Sequence, residues 1–487
     1  MFKLNKNGLL LASTTSFLFA CSATQTADPM INKANAVQPK AIKAAQSITS
    51  NTQSNLLTLE QIMADPDWMG RQPKTAYWGD NSATVYYQQK QHGGPLSDLW
   101  AKALDGKSEA SQVKMAELHL HAYQDRVLNQ AKNMAAWVFE GNIFVKNIND
   151  KSVQQLTKDN NQAEDLAFLN DGRLSFKVGN AIYAIHPGNG LYEQLVAWQF
   201  SDKPLALEAP EDYLAEQQQQ LIEVIGVKRK QKKLRFDRRQ SLSQQNTSMA
   251  PADLYFSKDN ETVETSLSPN GKWLILVERE QYSWRDDDDT MPNYINDDGR
   301  INADEVRRRV ADETPQSQTI WLVNIQDGTK RKLSYNSLPG YNEDVLAVVK
   351  RENAEAKGQQ YTANRLPRDI GLIEDWYWSQ SAIQWHNNGH DAAIMLEAWD
   401  NKDRWLTTVD TVKATLVNQH RLHDDAWINY KFNSFGWLNN NSTLYYLSEE
   451  SGYSNLYLKP LNSKPRAITA GKFEIDDLTL TTDDKHL

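Results

Sequence analysis

Trp427 to Thr469 reads WINYKFNSFGWLNNNSTLYYLSEESGYSNLYLKPLNSKPRAIT. An apolar strand ends at Trp437. Asn439-Asn440-Asn441-Ser442 turns the chain, because Asn tolerates positive φ and bonds its own backbone. Leu444-Tyr445-Tyr446-Leu447 returns as a second strand, aromatic and apolar as strands prefer. Ser448 to Ser454 is a polar loop containing a Gly. Asn455-Leu456-Tyr457-Leu458 forms a third strand. After a turn at Asn462 to Pro465, Arg466-Ala467-Ile468-Thr469 forms a fourth. Four short antiparallel strands in about 40 residues is the size of one β-propeller blade.

The first half of this unit recurs. Turns at Trp78-Gly79-Asp80-Asn81, Phe168 to Gly172, Leu267 to Gly271 and Trp385 to Gly389 each precede a strand. So does the second half, an aromatic strand followed by a polar turn and another strand. Copies begin at Leu99-Trp100, Ile143-Phe144, Ile182-Tyr183, Ile320-Trp321 and Arg404-Trp405. No copy is diagnostic alone. Together they predict an all-β fold, a β-propeller of four-stranded antiparallel blades with helical and polar loop insertions. A flat β-sandwich would not need so many similar hairpins. Fifteen Trp and nineteen Tyr suit sheets with aromatics wedged between them.

Ser448-Glu449-Glu450-Ser451-Gly452-Tyr453-Ser454-Asn455-Leu456-Tyr457 resembles a blade segment of the dipeptidyl peptidase IV branch of the prolyl oligopeptidase family. Ser268-Pro269-Asn270-Gly271-Lys272 resembles that family's SPDGK hairpins. Leu59 to Pro66 and Asp400-Asn401-Lys402-Asp403-Arg404-Trp405 resemble stretches of a bacterial subgroup. The likeness covers about residues 56 to 487. It implies an N-terminal propeller that gates and docks peptide substrates for a C-terminal α/β-hydrolase domain with a Ser-Asp-His triad. This chain matches only the propeller part.

The N-terminus adds an address. Lys3 and Lys6 precede an apolar run from Gly8 to Ala20, too short to span a bilayer, which reads as a secretory signal over 1–20. Leu18-Phe19-Ala20-Cys21 resembles a bacterial lipobox. Cys21 is the only cysteine, so no internal disulfide can form. A buried thiol is the plain alternative to lipid attachment there. With Ser22 following, the expectation is an outer-membrane lipoprotein facing the periplasm of a Gram-negative cell. Residues 21–55, rich in Ala, Gln, Ser, Thr and Asn, read as a tether. Thr58 caps a short predicted helix that Pro66 stops.

Three insertions interrupt the blades, at about 200–250, 285–315 and 336–368. In the first, Glu208 to Ile225 has helical spacing, and Lys228 to Arg239 carries eight Lys or Arg in twelve residues. A net charge of −9, a pI near 5.6 and an export signal argue against nucleic acid as the partner. A solvated helix on the rim is expected instead. In the second, Tyr294 to Glu305 partly matches a calcium loop, but Tyr294 sits where the first carboxylate belongs. In the third, Glu343 to Glu355 has helical character. Leu478 to Lys485 reads as the first strand and turn of a further blade, truncated at Leu487. A truncated peptidase and a stand-alone propeller both remain open at this level.

The chemistry is sparse. No Gly-x-Ser-x-Gly occurs; Gly452-Tyr453-Ser454-Asn455-Leu456 lacks the second Gly. His119 and His121 would alternate on one strand face, as two metal ligands could, without a third. No phosphate loop and no cofactor motif appear. In the resembled peptidases a Glu pair holds the substrate's free amine. Glu449 and Glu450 are the adjacent pair here, and Glu278 with Glu280 is a weaker choice. The expectation is therefore a propeller portion of a serine peptidase, inactive alone, with a peptide substrate, a hydrolase partner domain, a lipid anchor and homodimerisation as a further partner mode. The alternative is a non-enzymatic binding or scaffold lipoprotein.

Overall fold

The computed structural model describes residues 57–487, except 65, 205–211, 284, 310–313, 364–366, 374–379, 440 and 482–485. The expected signal and tether, with Cys21, lie outside the described residues. Two units are distinguished, 1–68 and 69–487. In the first, a helix spans Leu59–Ile62, with the Gln61 N–H donating to Thr58 Oγ1 at 3.2 Å.

The second unit is a run of antiparallel meanders. Blade 1 comprises Lys74–Trp78, Thr84–Lys90, Ser97–Ala103 and Ser111–Gln112; blade 2 comprises Val127–Leu128, Met134–Phe139, Asn142–Asn147 and Val153–Gln155. Blade 3 holds Glu164–Phe168, Leu174–Val178, Ala181–Ile185 and Tyr192–Phe200, extended by a parallel strand, Leu254–Phe256. Blade 4 holds Asn260–Leu267, Trp273–Glu280, Thr319–Asn324 and Lys330–Leu333. In blade 5, Ile370–Leu372 and Ile383–Trp385 share one neighbour, Ala392–Ala398, followed by Asp403–Asp410 and Thr415–His423. Blade 6 is Phe435–Leu438, Thr443–Ser448, Asn455–Pro460 and Arg466–Ala467. These are the strands the opening stretch predicts, each within a few residues.

Side chains alternate across a strand, so a sheet buried on both faces must feed two cores. The strand Trp273–Glu280 does this. Leu274 and Leu276 pack with Leu169, Ile182 and Trp198 of blade 3. Ile275 and Val277 pack with Ile370, Ile394 and Leu396 of blade 5. The latter core continues to Phe435, Leu444 and Tyr446 of blade 6. Ile143 and Val145 of blade 2 meet Leu174 and Phe176 of blade 3, and Tyr77 and Tyr86 of blade 1 meet Trp137 and Phe144. Sheets stacked face to face in chain order are the packing of propeller blades.

Several expectations are corrected. The helical insertion is longer than its apolar spacing implies: Tyr213–Leu221 is followed by Glu223–Gln245, which contains the whole basic run. The second insertion is a β-hairpin, Arg285–Asn293 with Asn302–Arg307, rather than a loop. Leu478 to Thr481 form no strand; Ile475 and Leu478 instead pack on Phe432, Leu447 and Leu456. In the third insertion a helix spans Ala347–Ala356.

Candidate functional site

In an antiparallel meander the connections alternate between the two ends of the sheet. The first and third turns of each blade share one end. The second turn and the crossing to the next blade share the other. Hydrogen bonds keep the blades in step. Gln380 Nε2 donates to the Asn433 carbonyl at 3.2 Å, and Trp437 Nε1 to the Gln384 carbonyl at 2.9 Å. The first turns of blades 3, 4 and 5 are tied directly. The Asn170 N–H donates to the Pro269 carbonyl at 2.7 Å, and Asn270 Nδ2 to the Gly389 carbonyl at 2.8 Å. Asn170 Nδ2 reaches the Asn387 carbonyl at 3.1 Å. Gly389 has φ +72°, and a Cβ there would lie 2.7 Å from Asn270. The recurrent Asn-Gly turns are therefore a structural latch at one end.

The opposite end collects the candidate chemistry. It carries the Ser448–Ser454 loop, the Trp399–Lys402 turn, the Arg285–Arg307 hairpin and the Asn336–Arg368 crossing. In blades 1 to 3 the same end opens a cleft of about 1050 Å³, lined by Tyr77, Asp98, Asp125, Trp137, Glu140 and Glu164 among others. Sequence reading missed this cleft, because its walls come from three blades and carry no motif.

Glu449 and Glu450 follow each other in the loop and have different neighbours. Glu450 Oε2 lies 3.7 Å from His420 Nδ1. Glu449 lies beside the Asn429 backbone, Glu474 and Arg404. Burial pushes both carboxyls up; Glu474 adds to this for Glu449, while Arg404 pulls it back. Arg404 is 5 % exposed and donates from Nη2 to the Asn429 carbonyl at 3.1 Å; its Nε finds no hydrogen-bond partner among the described residues. The pair does not present two carboxylates to one point.

His420 Nε2 is 3.3 Å from Ser448 Oγ, so Ser448, His420 and Glu450 stand in the order of a charge relay. Ser448 is 1 % exposed, and its Oγ accepts the Glu450 N–H at 3.3 Å. It does not line the cleft of about 1050 Å³. Burial pulls His420 down to about 4, leaving the ring neutral near pH 7, tilted against Tyr446 at 4.7 Å. Ser448 and His420 are packed away while Glu450 is exposed, so the cluster offers no accessible nucleophile.

The Asp400–Trp405 stretch builds a charge network. Arg368 forks onto Asp400 at 2.6 and 2.9 Å and reaches Asp403 at 2.5 Å. Asp403 also accepts from Arg421 Nε at 2.6 Å and lies 3.0 Å from His423 Nδ1. Arg421 extends to Glu343 at 3.0 Å. Burial opposes the charge on Arg368, and its bonds to Asp400 and Asp403 outweigh that and raise its pKa. This network clamps the second turn of blade 5 to the preceding crossing. A cavity of about 340 Å³ beside it is lined by Asp344, Lys350, Tyr361, Arg368 and Asp400.

The remaining candidates separate. His119 and His121 lie in a helical turn, Leu118–His121, rather than on a strand. His121 Nδ1 is 2.9 Å from Tyr86 Oη, while the His119 ring packs on Phe144. In a helical turn residues i and i+2 point about 200° apart, so the two imidazoles do not share a face as they would on a strand. The calcium-like stretch is a hairpin turn in which Asp298 Oδ1 accepts the Arg300 N–H at 2.9 Å, and Glu305 sits in a strand. That shape does not converge ligands as a helix-flanked loop does. Among the described residues no group of three or more His, Cys, Asp or Glu could hold a metal ion. Glu278 is 5 % exposed and receives the Trp321 indole N–H at 2.7 Å, whereas Glu280 is exposed at the strand end.

Residues 346–486 match the family model of the dipeptidyl peptidase IV N-terminal region. No curated protein is similar to this chain in sequence. Among solved structures, dipeptidyl peptidase 4 of Porphyromonas gingivalis is similar at 12 % identity and a TM-score of 0.44, over 87 % of this chain and 50 % of that one. The β-propeller domain of the Trilobed protease of Pyrococcus furiosus is similar at 8 % identity and a TM-score of 0.32, over 83 % of this chain and 89 % of that one. The chain thus spans about half the length of the Porphyromonas protein.

Proposed function

We propose that this chain is the substrate-gating and docking propeller of a secreted or lipid-anchored serine peptidase that acts on peptides. In this reading the catalytic triad resides on an α/β-hydrolase domain and the propeller hydrolyses nothing alone. The match of residues 346–486 to the dipeptidyl peptidase IV N-terminal region carries the proposal. The gathering of the insertions, the acidic cleft and the Glu449–Glu450 loop at one end supports a docking role for that end.

Glu449 and Glu450 are the substrate-facing candidates, with Glu449 the better placed. It is half-buried beside Glu474, so an incoming ammonium would gain charge-assisted hydrogen bonds in a partly dry setting. Titration calorimetry with short peptides tests this. Peptides with a free N-terminus should bind, acetylated ones should bind at least ~10-fold more weakly, and Glu449→Gln should erase the difference. Equal binding of both peptides would remove the amine-docking role. Lipid attachment at Cys21 is tested separately by metabolic acyl labelling of the native chain against Cys21→Ser.

A further inference from the structure

We infer that the Glu223–Gln245 helix is a docking surface for anionic phospholipid headgroups. It carries eight Lys or Arg against Glu223 and Asp237, a net +6, while the rest of a chain totalling −9 carries −15. Lys228, Lys230, Lys232, Lys233, Arg235, Arg238 and Arg239 are all exposed, and none has an ion-pair partner among the described residues. Charge so segregated on one element of about 35 Å is complementary to a polyanionic surface rather than to this chain's own neighbourhood.

The apolar residues choose among polyanions. Gly226, Arg229 and Phe236 are the partly buried positions and mark the side turned inward. Helical spacing puts Val224, Val227, Leu234 and Leu242 on the opposite side, where they alternate with the exposed Gln231 and Arg238. They are 61 %, 49 %, 60 % and 39 % exposed, and Leu214 and Leu221 of the preceding helix are 67 % and 78 % exposed. A nucleic-acid backbone gains nothing from these exposed apolar side chains. A bilayer interface does: apolar side chains enter the acyl boundary while Lys and Arg reach back to phosphates. Among the described residues no helix is long and apolar enough to cross a membrane, so the helix lies along the surface.

The proposal stands apart from the peptidase reading. It is tested with the full chain carrying Cys21→Ser, which removes any acyl attachment. Co-sedimentation with phosphatidylcholine vesicles, with and without about one-third phosphatidylglycerol, reads the affinity. Binding should require phosphatidylglycerol and fall steeply between low and high salt. The combined Lys230→Gln, Lys232→Gln, Lys233→Gln and Arg235→Gln variant should partition about 100-fold more weakly or worse, with unchanged circular dichroism. Val227→Ser with Leu234→Ser should weaken binding at every salt concentration. Binding indifferent to phosphatidylglycerol, or retained in the fourfold variant, overturns the proposal. So does a dimer that the fourfold variant dissociates without any vesicle affinity in the parent, since the helix would then serve a second copy.

Discussion

Leu274 and Ile275 are adjacent in the chain and lie in different hydrophobic cores. Leu274 packs against blade 3, Ile275 against blade 5, and both are fully buried. A two-residue period with both phases apolar is the mark of a strand covered on each face. It makes this strand a wall between two blade interfaces.

Truncating either residue should therefore open a separate cavity. Leu274→Ala and Ile275→Ala are each expected to lower stability by about 2–5 kcal/mol. Because they share no packing partners, the losses should add within about 0.5 kcal/mol in the double variant. Urea unfolding of the four proteins measures this. Coupling well above that value would mean the two cores behave as one.

The Asn-Gly latch should be stiff at its glycine. Gly389→Ala faces both a positive φ and a 2.7 Å contact with Asn270, so it should cost about 1–3 kcal/mol. Asn270→Ala should cost about 1–3 kcal/mol, because its side chain donates to the Gly389 carbonyl and accepts from Ser268 Oγ and the Lys272 N–H. Asn270→Ala should leave most of the Gly389→Ala penalty in place, because the Cβ at 2.7 Å and the backbone N at 2.8 Å of residue 270 remain. Thermal melts of the two single variants and the double variant decide the matter.

Asp403 should matter more than Asp400. The Asp403 side chain is fully buried between Arg368 and Arg421, and that of Asp400 is 16 % exposed. Asp403→Asn leaves two guanidinium groups without their buried counter-charge, at about 3–5 kcal/mol. Asp400→Asn should cost clearly less, because water can replace part of what is lost. The reverse order in chemical denaturation would contradict the clamp.

His420 should make stability pH-dependent. Its folded pKa, about 4, lies below its ordinary value near 6.5. Between these values the unfolded chain binds the proton and the folded one does not, so stability falls as pH drops from about 6.5 to 4 and levels off below. The loss is on the order of 2–3 kcal/mol. Glu450, raised by burial, contributes with the opposite slope where its own titration falls. His420→Gln should flatten the difference curve over this window; an unchanged curve would place the pH sensitivity elsewhere.

The blade strands were legible because their signals are local. Alternation, aromatic content and Asn-Gly turns act within ten residues, and Trp437, Leu444 and Tyr457 fall in strands as their neighbourhoods imply. The candidate site was less so. Glu449 and Glu450 look like a pair in the chain, yet their side chains meet different partners. His119 and His121 read as strand alternation because a two-residue period says nothing about the turn they occupy. Tyr294 to Glu305 looked like a loop because its hairpin is polar and exposed on both faces, which removes the apolar alternation that marks a strand.

By itself the sequence determined that this protein is a series of similar four-stranded units, interrupted by polar insertions and a strongly basic run. Those features need only propensity, periodicity and charge. Tertiary structure decided which ends of the units carry the Asn latch and which carry the cleft, and it joined Arg368 to Asp403 across 35 residues of chain. It also buried Ser448 and His420 in packing. Such outcomes depend on how stacked sheets align their alternating connections, a relation between distant strands that no local stretch encodes.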